Sequence, residues 1–257
     1  GRDRIGQKPL YYGFNEGIFY FSSELKALKP SKEFKPEIDR GALSLFLRHN
    51  YVPAPYSIYR GIYKLMPGTY ISFSFEDICR QESEQPRCYW DLAELAIQGI
   101  QEQGRQGYHF QVEQVKEIVS AAVKRRMIAD VPLGAFLSGG IDSSLIVAFM
   151  QEHSTQPVKT FCIGTEDKEY DEALYARKVA DHLGTDHTEL YVTPGQVLNV
   201  IPKLPDIYDE PFADSSQIPT YLVSSLAREQ VTVTLSGDGG DEMFAGYNRH
   251  FWGRRIW

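Results

Sequence analysis

Leu133-Gly134-Ala135-Phe136-Leu137-Ser138-Gly139-Gly140-Ile141-Asp142-Ser143-Ser144 is the stretch on which the fold turns. A short apolar run ends in a glycine-rich turn and passes straight into a helical segment at 142–152. The pattern repeats downstream. Apolar runs at 158–163 and 188–192 alternate with helical spacing at 171–183, 196–201 and 218–229, and Val231-Thr232-Val233-Thr234-Leu235 is a last strand. Short apolar strands alternating with amphipathic helices predict an α/β fold whose parallel sheet is covered on both faces. Such sheets bind ligands outside the carboxyl ends of their strands, so chemistry is expected just after Leu137, Ile163 and Leu235.

Two loops stand out there. In the first, Gly139 and Gly140 allow main-chain N–H groups to approach an anion closely, and Ser138, Ser143 and Ser144 add hydroxyl donors. The helix that follows adds the partial positive charge of its N-terminus, which completes a phosphate cradle. The GxxxxGK[ST] loop of common NTPases is absent, with Asp142 present and no lysine in the loop. A carboxylate repels phosphate unless a divalent cation lies between them, so Asp142 reads as a magnesium ligand; an Asp capping a helix after a Gly turn is the plainer alternative. In the second loop, Ser236-Gly237-Asp238-Gly239-Gly240-Asp241-Glu242 packs three carboxylates into five positions. Such acids repel one another unless a cation or a substrate ammonium offsets them, or unless the turn is simply solvated.

The remainder of the chain reads differently. Leu10-Tyr11-Tyr12-Gly13-Phe14 and Ile18-Phe19-Tyr20-Phe21 flank Asn15-Glu16-Gly17 as an aromatic β-hairpin. A helix is expected within 36–50, prolines and Gly68 mark loops, and Thr69-Tyr70-Ile71-Ser72-Phe73 is strand-like. Residues 97–108 are rich in Gln and Gly and predict a linker between domains at 1–96 and 109–257. Helical spacing resumes at Val112, Val115, Ile118, Val119, Val123 and Met127. The 257 residues carry a net charge of −7 and 42% hydrophobic residues, the balance of a globular protein with no electrostatic grip on nucleic acid. No apolar run approaches the roughly 20 residues that span a membrane. Three cysteines without ligand spacing suit a reducing, cytoplasmic setting. The ends, at Gly1 and Trp257, read as those of a piece of a longer protein.

SGGIDSS followed by LSGDGGDEMFAGY resembles the synthetase domain of glutamine-dependent asparagine synthetases, members of the ATP-pyrophosphatase (PP-loop) superfamily. Upstream, GRDRIGQKPLYY and FSSELKAL resemble the latter part of their class II glutaminase domain, a β-rich Ntn-type fold. The resemblance implies an incomplete glutaminase domain followed by the first part of a parallel-sheet synthetase domain. By its terms Ser138, Gly139, Gly140, Asp142, Ser143 and Ser144 hold the pyrophosphate part of ATP. Leu137, Ile163, Ser236 and Gly237 line adenine and ribose, Asp142 and Asp241 take Mg²⁺, and Asp238 assists acyl-adenylate formation, where many relatives carry Glu. Asp3 holds the α-amino group of glutamine. The N-terminal cysteine nucleophile and the C-terminal lysine region of the family lie outside this sequence.

The chemistry implied is activation of a carboxylate by AMP, with release of pyrophosphate, and attack by ammonia taken from glutamine. Donors and magnesium aimed at phosphoryl oxygens meet the charge that develops there. Aspartate is the implied acceptor, with glutamine as the second substrate and a homodimer as the usual family assembly. A sugar uronic acid is the rival acceptor, and Asp3 counts against the ring-closing branch of the superfamily. A non-catalytic binding protein is the rival class, which the intact loops disfavour. The histidines, including His153, His182, His187 and His250, read as packing or surface groups. Residues 209–216 read equally as acceptor-pocket lining or as a turn with an N-cap, and Arg249 as a pyrophosphate contact.

Overall fold

The computed structural model describes residues 1–82, 84–102, 107–165 and 171–256. It divides into two units, one made of Gly1–Arg105 with Pro202–Ser215, the other of Gln106–Ile201 with Ser216–Trp257.

In the first unit the aromatic hairpin forms as expected. Strands β1 (Tyr11–Asn15) and β2 (Ile18–Ser22) pair antiparallel, closed by Glu16 and Gly17 at φ 50° and 80°, the two left-handed positions of a type I′ turn. Helix α1 (Arg40–His49) starts where the Asp39 carboxylate accepts the Gly41 and Ala42 amides and stops at Asn50 in the left-handed region. Strand β3 (Ile62–Lys64) joins the far side of β1, giving the order β2-β1-β3. Leu25, Leu28, Phe34, Ala42, Val52 and Ile62 fill the core beneath.

The strand expected at 69–73 is shorter than its composition suggests. Strand β4 (Thr69–Tyr70) pairs only with β5 (Arg87–Cys88), because Ser74 and Asp77 form a capping box that starts helix α2 (Phe75–Arg80). Helix α3 (Leu92–Gln101) is capped by Asp91 and runs into the expected linker, so its first five positions, 97–101, are helical. Positions 103–106 of that linker lie outside the described residues.

The second unit is an α/β layer structure. Helix α4 (Tyr108–Arg126) leads into strand β6 (Leu133–Phe136), α5 (Ile141–His153), β7 (Lys159–Thr165), α6 (Ala173–Leu183) and β8 (Asp186–Val192). The helix Gln217–Arg228 then precedes β9 (Val233–Leu235). All four strands are parallel in the order β8-β7-β6-β9, with Leu133 opposite Val233 and Gly134 opposite Lys159. One face is covered by α4, α5 and α6 through Val123, Val147, Met150, Ala176 and Ala180. The other is covered by Gln217–Arg228, where Phe161 packs with Ala227 and Val231. Both faces of the central strands are therefore apolar, as a doubly covered parallel sheet requires.

Cys79 and Cys88 are exposed free thiols, and burial pushes the Cys162 thiol up to about 12. Among the described residues no helix is long and apolar enough to cross a membrane.

Candidate functional site

The chain leaves β6 toward β7 and β8 on one side and returns to β9 on the other. That reversal opens a crevice between the carboxyl ends of β6 and β9, and the two loops sought in the sequence lie at those ends. A cleft of about 690 Å³ occupies the place. The first loop contributes Ser138, Gly140, Asp142 and Ser143 to it, and the second contributes Ser236, Gly237, Asp238 and Asp241.

The first loop is held by its own polar groups. Leu137 is buried and donates its amide to Phe161 O at 3.0 Å, which pins the loop to β7. Ser138 Oγ lies 3.0 Å from Ser143 Oγ and accepts the Gly140 amide at 3.3 Å, so the turn is folded around two hydroxyls. Gly139 has φ 79°, and a Cβ there would stand 2.6 Å from the backbone of Tyr175 and Ala176 on α6. Only glycine fits both demands. Gly140 is the N-cap of α5 and supplies no side chain, so the first N–H groups of that helix have no side-chain cap.

The second loop lies directly on the first turn of α5. A Cβ on Gly237 would come within 2.8 Å of the Ser143 amide nitrogen and 2.9 Å of the Asp142 carbonyl carbon. A Cβ on Gly240 would meet the Asp142 carboxylate itself. The acidic loop therefore closes over Asp142, and its glycines make the approach possible. Within it, the Ser236 hydroxyl donates to Asp238 Oδ2 at 2.9 Å, and the Gly240 amide donates to Gly237 O at 3.1 Å.

The electrostatics follow from this crowding. Burial, and then the neighbouring Asp241 and Glu242, push the Asp142 carboxyl above the usual carboxylate range. Glu242 goes the other way, because the Tyr247 hydroxyl donates to it at 2.7 Å and favours its charged form. Negative charge gathered around Asp142 is what a cation relieves. Among the described residues no group of three or more His, Cys, Asp or Glu side chains forms a metal cage. Two carboxylates fit Mg²⁺ nonetheless, since that ion commonly takes one or two from protein and the rest of its shell from phosphate and water.

The other residues singled out in the sequence fall elsewhere. Leu137 and Gly139 support the first loop from behind, and Ile163 is half-buried on β7; none of the three lines the cleft. The Ser144 hydroxyl is buried, has no hydrogen-bond partner among the described residues, and does not line the cleft. The Arg249 guanidinium stacks 4.2 Å over the Tyr247 ring. His153 Nε2 lies 2.8 Å from Ser120 Oγ and His187 Nδ1 2.8 Å from Thr160 Oγ1, both packing contacts.

Phe136, Thr220, Val223 and Phe244 also line the cleft and were not anticipated. Thr220 and Val223 are three apart on the helix Gln217–Arg228 and so are neighbours on its surface, which makes helical spacing the available signal.

In the first unit, Asp3 accepts the Gln7 amide at Oδ1 and the Lys8 amide at Oδ2, each at 2.9 Å. These bonds, that from Lys8 foremost, hold its carboxyl below the usual range. Arg2 braces the same turn by donating to the carbonyls of Lys8, Gly6 and Leu65 at 3.0, 3.0 and 2.8 Å.

A parallel α/β unit with a glycine-rich loop opposite an acidic loop at the carboxyl ends of its strands follows a mixed unit of two small antiparallel sheets and helices. Residues 114–257 match the asparagine synthase family model and residues 1–90 that of the glutamine amidotransferase domain. The chain belongs to the asparagine synthase family. It is 42% identical over 258 residues to a putative glutamine-hydrolysing asparagine synthetase of Methanocaldococcus jannaschii, covering 99% of this chain and 48% of the relative. It is 34% identical to asparagine synthetase 1 of Bacillus subtilis, covering 96% of this chain and 37% of that protein. The human asparagine synthetase is 28% identical over 96% of this chain and 43% of its own length. The chain thus spans between about a third and a half of these relatives.

Proposed function

We propose that this chain contributes the nucleotide site of an enzyme that amidates aspartate to asparagine, using ATP and ammonia released from glutamine. The observation that carries the reading is the closure of the acidic loop over Asp142 at the reversal point between β6 and β9. The relatives named above are asparagine synthetases, and the family match supports ATP use by the second unit.

A carboxylate carbon is a poor electrophile, so the enzyme first transfers AMP to a carboxyl oxygen and expels pyrophosphate. In that step Ser138, Ser143, the amides of the first loop and the uncapped first turn of α5 orient the phosphates and donate to their oxygens. Asp142 and Asp241 would hold Mg²⁺, which when bound would supply positive charge to offset that of the phosphate oxygens. Asp238, fixed by Ser236, faces the cleft where the acyl-adenylate forms. Phe136, Val223 and Phe244 shield the activated acyl group from water. Leu137, Gly139 and Ile163 act from behind the cleft by holding the loop and strand ends, while the Ser144 hydroxyl is buried away from the cleft and takes no part. In the first unit the ionised, doubly bonded Asp3 presents negative charge to the α-ammonium of glutamine. Three unpaired thiols suit a reducing cytoplasmic workplace.

Pyrophosphate exchange into ATP, measured in the complete enzyme over a panel of acids, tests the reading. Exchange that requires Mg²⁺ and L-aspartate is expected. Exchange with a uronic acid and none with aspartate would reassign the acceptor, and no exchange with any acid would remove the adenylation.

A further inference from the structure

Residues 202–215 interrupt the second unit in sequence yet pack with the first. Their anchors are two carboxylates whose side chains are only 11% exposed, Asp209 and Glu210. Asp209 caps a helix start from far away in the chain. The short helix Leu25–Leu28 has Glu24 at its N-cap without a side-chain cap bond, and Asp209 accepts the Leu25 amide at 2.6 Å and the Lys26 amide at 3.0 Å instead. Lys26 Nζ returns a bond to Ile207 O at 2.6 Å. Glu210 accepts the Ile58 amide at 2.7 Å and pairs with Lys64 Nζ at 2.5 Å; Lys64 is itself only 16% exposed. The Ala213 amide closes the seam on Asn50 O at 2.7 Å.

Neither carboxylate is therefore available as acceptor-pocket lining. Removing either would strand buried donors, and loss of the Glu210 charge would leave the Lys64 ammonium uncompensated. Directly downstream, the chain re-enters the second unit as the helix Gln217–Arg228, whose Thr220 and Val223 line the cleft.

We infer that Asp209 and Glu210 are positioning residues that fasten a strap between the amidotransferase unit and the helix lining the nucleotide cleft, so that Mg·ATP binding and the anchoring of the strap favour one another. The inference rests on the cleft being the Mg·ATP site proposed above. Coupling of this kind is reciprocal, so it can be read from either end.

The test uses the full 257-residue chain. Mg·ATP is titrated calorimetrically into the unaltered chain, Asp209→Asn and Glu210→Gln. Affinity about tenfold weaker in each variant is expected, within the usual range of coupling between sites. In parallel, hydrogen exchange at the Leu25, Lys26 and Ile58 amides of the unaltered chain is expected to slow when Mg·ATP saturates it, a readout that needs no variant to fold. Tight binding in every variant, together with unchanged exchange at those three amides, would overturn the strap. Failure of the unaltered chain to bind Mg·ATP would instead overturn the reading of the cleft on which it rests.

Discussion

The two loops at the sheet's edge are built alike and equipped oppositely. Each follows a short parallel strand, each is rich in glycine, and each runs into a helix. The first spends its polar groups on donation: hydroxyls bonded to one another, amides that donate to those hydroxyls, and a helix N-terminus without a side-chain cap. The second concentrates acid; among the described residues Glu242 takes a hydroxyl from the following segment, Tyr247, and Asp238 takes one from Ser236 of its own loop. Separately, one is a helix start and the other an acidic turn. Brought within a glycine's reach of each other they border the cleft proposed above to take an anion and its counter-cation together.

Breaking that closeness is expected to have the largest effect. Gly237→Val puts carbon where the Ser143 amide and the Asp142 backbone stand, and backbone cannot yield as a side-chain tip can. Urea unfolding is expected to register about 1–3 kcal/mol of lost stability. Pyrophosphate exchange is expected to fall by about 100-fold or more as donors and charge separate. Exchange within a few-fold of the unaltered enzyme would mean that the two loops need not touch.

The serines sharpen the contrast within the donating loop. Ser138→Ala removes a hydroxyl that both lines the cleft and organises the turn, and is expected to weaken Mg·ATP binding by about tenfold. Ser144→Ala removes a buried hydroxyl without a partner and is expected to leave binding nearly unchanged, with stability equal or slightly higher. A larger loss of affinity from Ser144 than from Ser138 would place the inner hydroxyl on phosphate.

The smallest effect on function is expected at Glu189, which lines no part of the cleft. Arg177 grips its carboxylate with two guanidinium nitrogens and holds it below the ordinary range. A lowered carboxyl stabilises the fold above its unfolded value and loses that contribution as pH falls through the folded value. Glu189→Gln is therefore expected to reduce stability at neutral pH and flatten its decline on acidification, with Mg·ATP affinity unchanged. Thermal melts across the acidic range, with a parallel titration of Mg·ATP, check both halves.

How much was readable beforehand depended on whether a feature leaves a local pattern. The parallel sheet and both loops did, because strand, glycine turn and helix follow one another within a dozen residues of chain. The shortened strand at Thr69–Tyr70 and the helix after it turned on one capping box, Ser74 with Asp77, which overrode a run of β-formers. The attachment of residues 202–215 to the first unit left no local trace. Glu210 meets Lys64 and Ile58, and Asp209 meets Leu25, only through tertiary structure, and ion pairs between distant positions have no period. Thr220 and Val223 were visible as a helical stripe, but nothing in the stripe announces that its end overhangs a cleft.

The most direct trial of the central claim is electron paramagnetic resonance of Mn²⁺ standing in for Mg²⁺, titrated with ATP into the chain and its Asp142→Asn, Asp241→Asn and doubly substituted forms. One tightly held ion per chain is expected, lost in either single variant, with the double variant no worse than the singles. Retention of the ion in either single variant, or losses that simply add, would show that Asp142 and Asp241 do not share a metal.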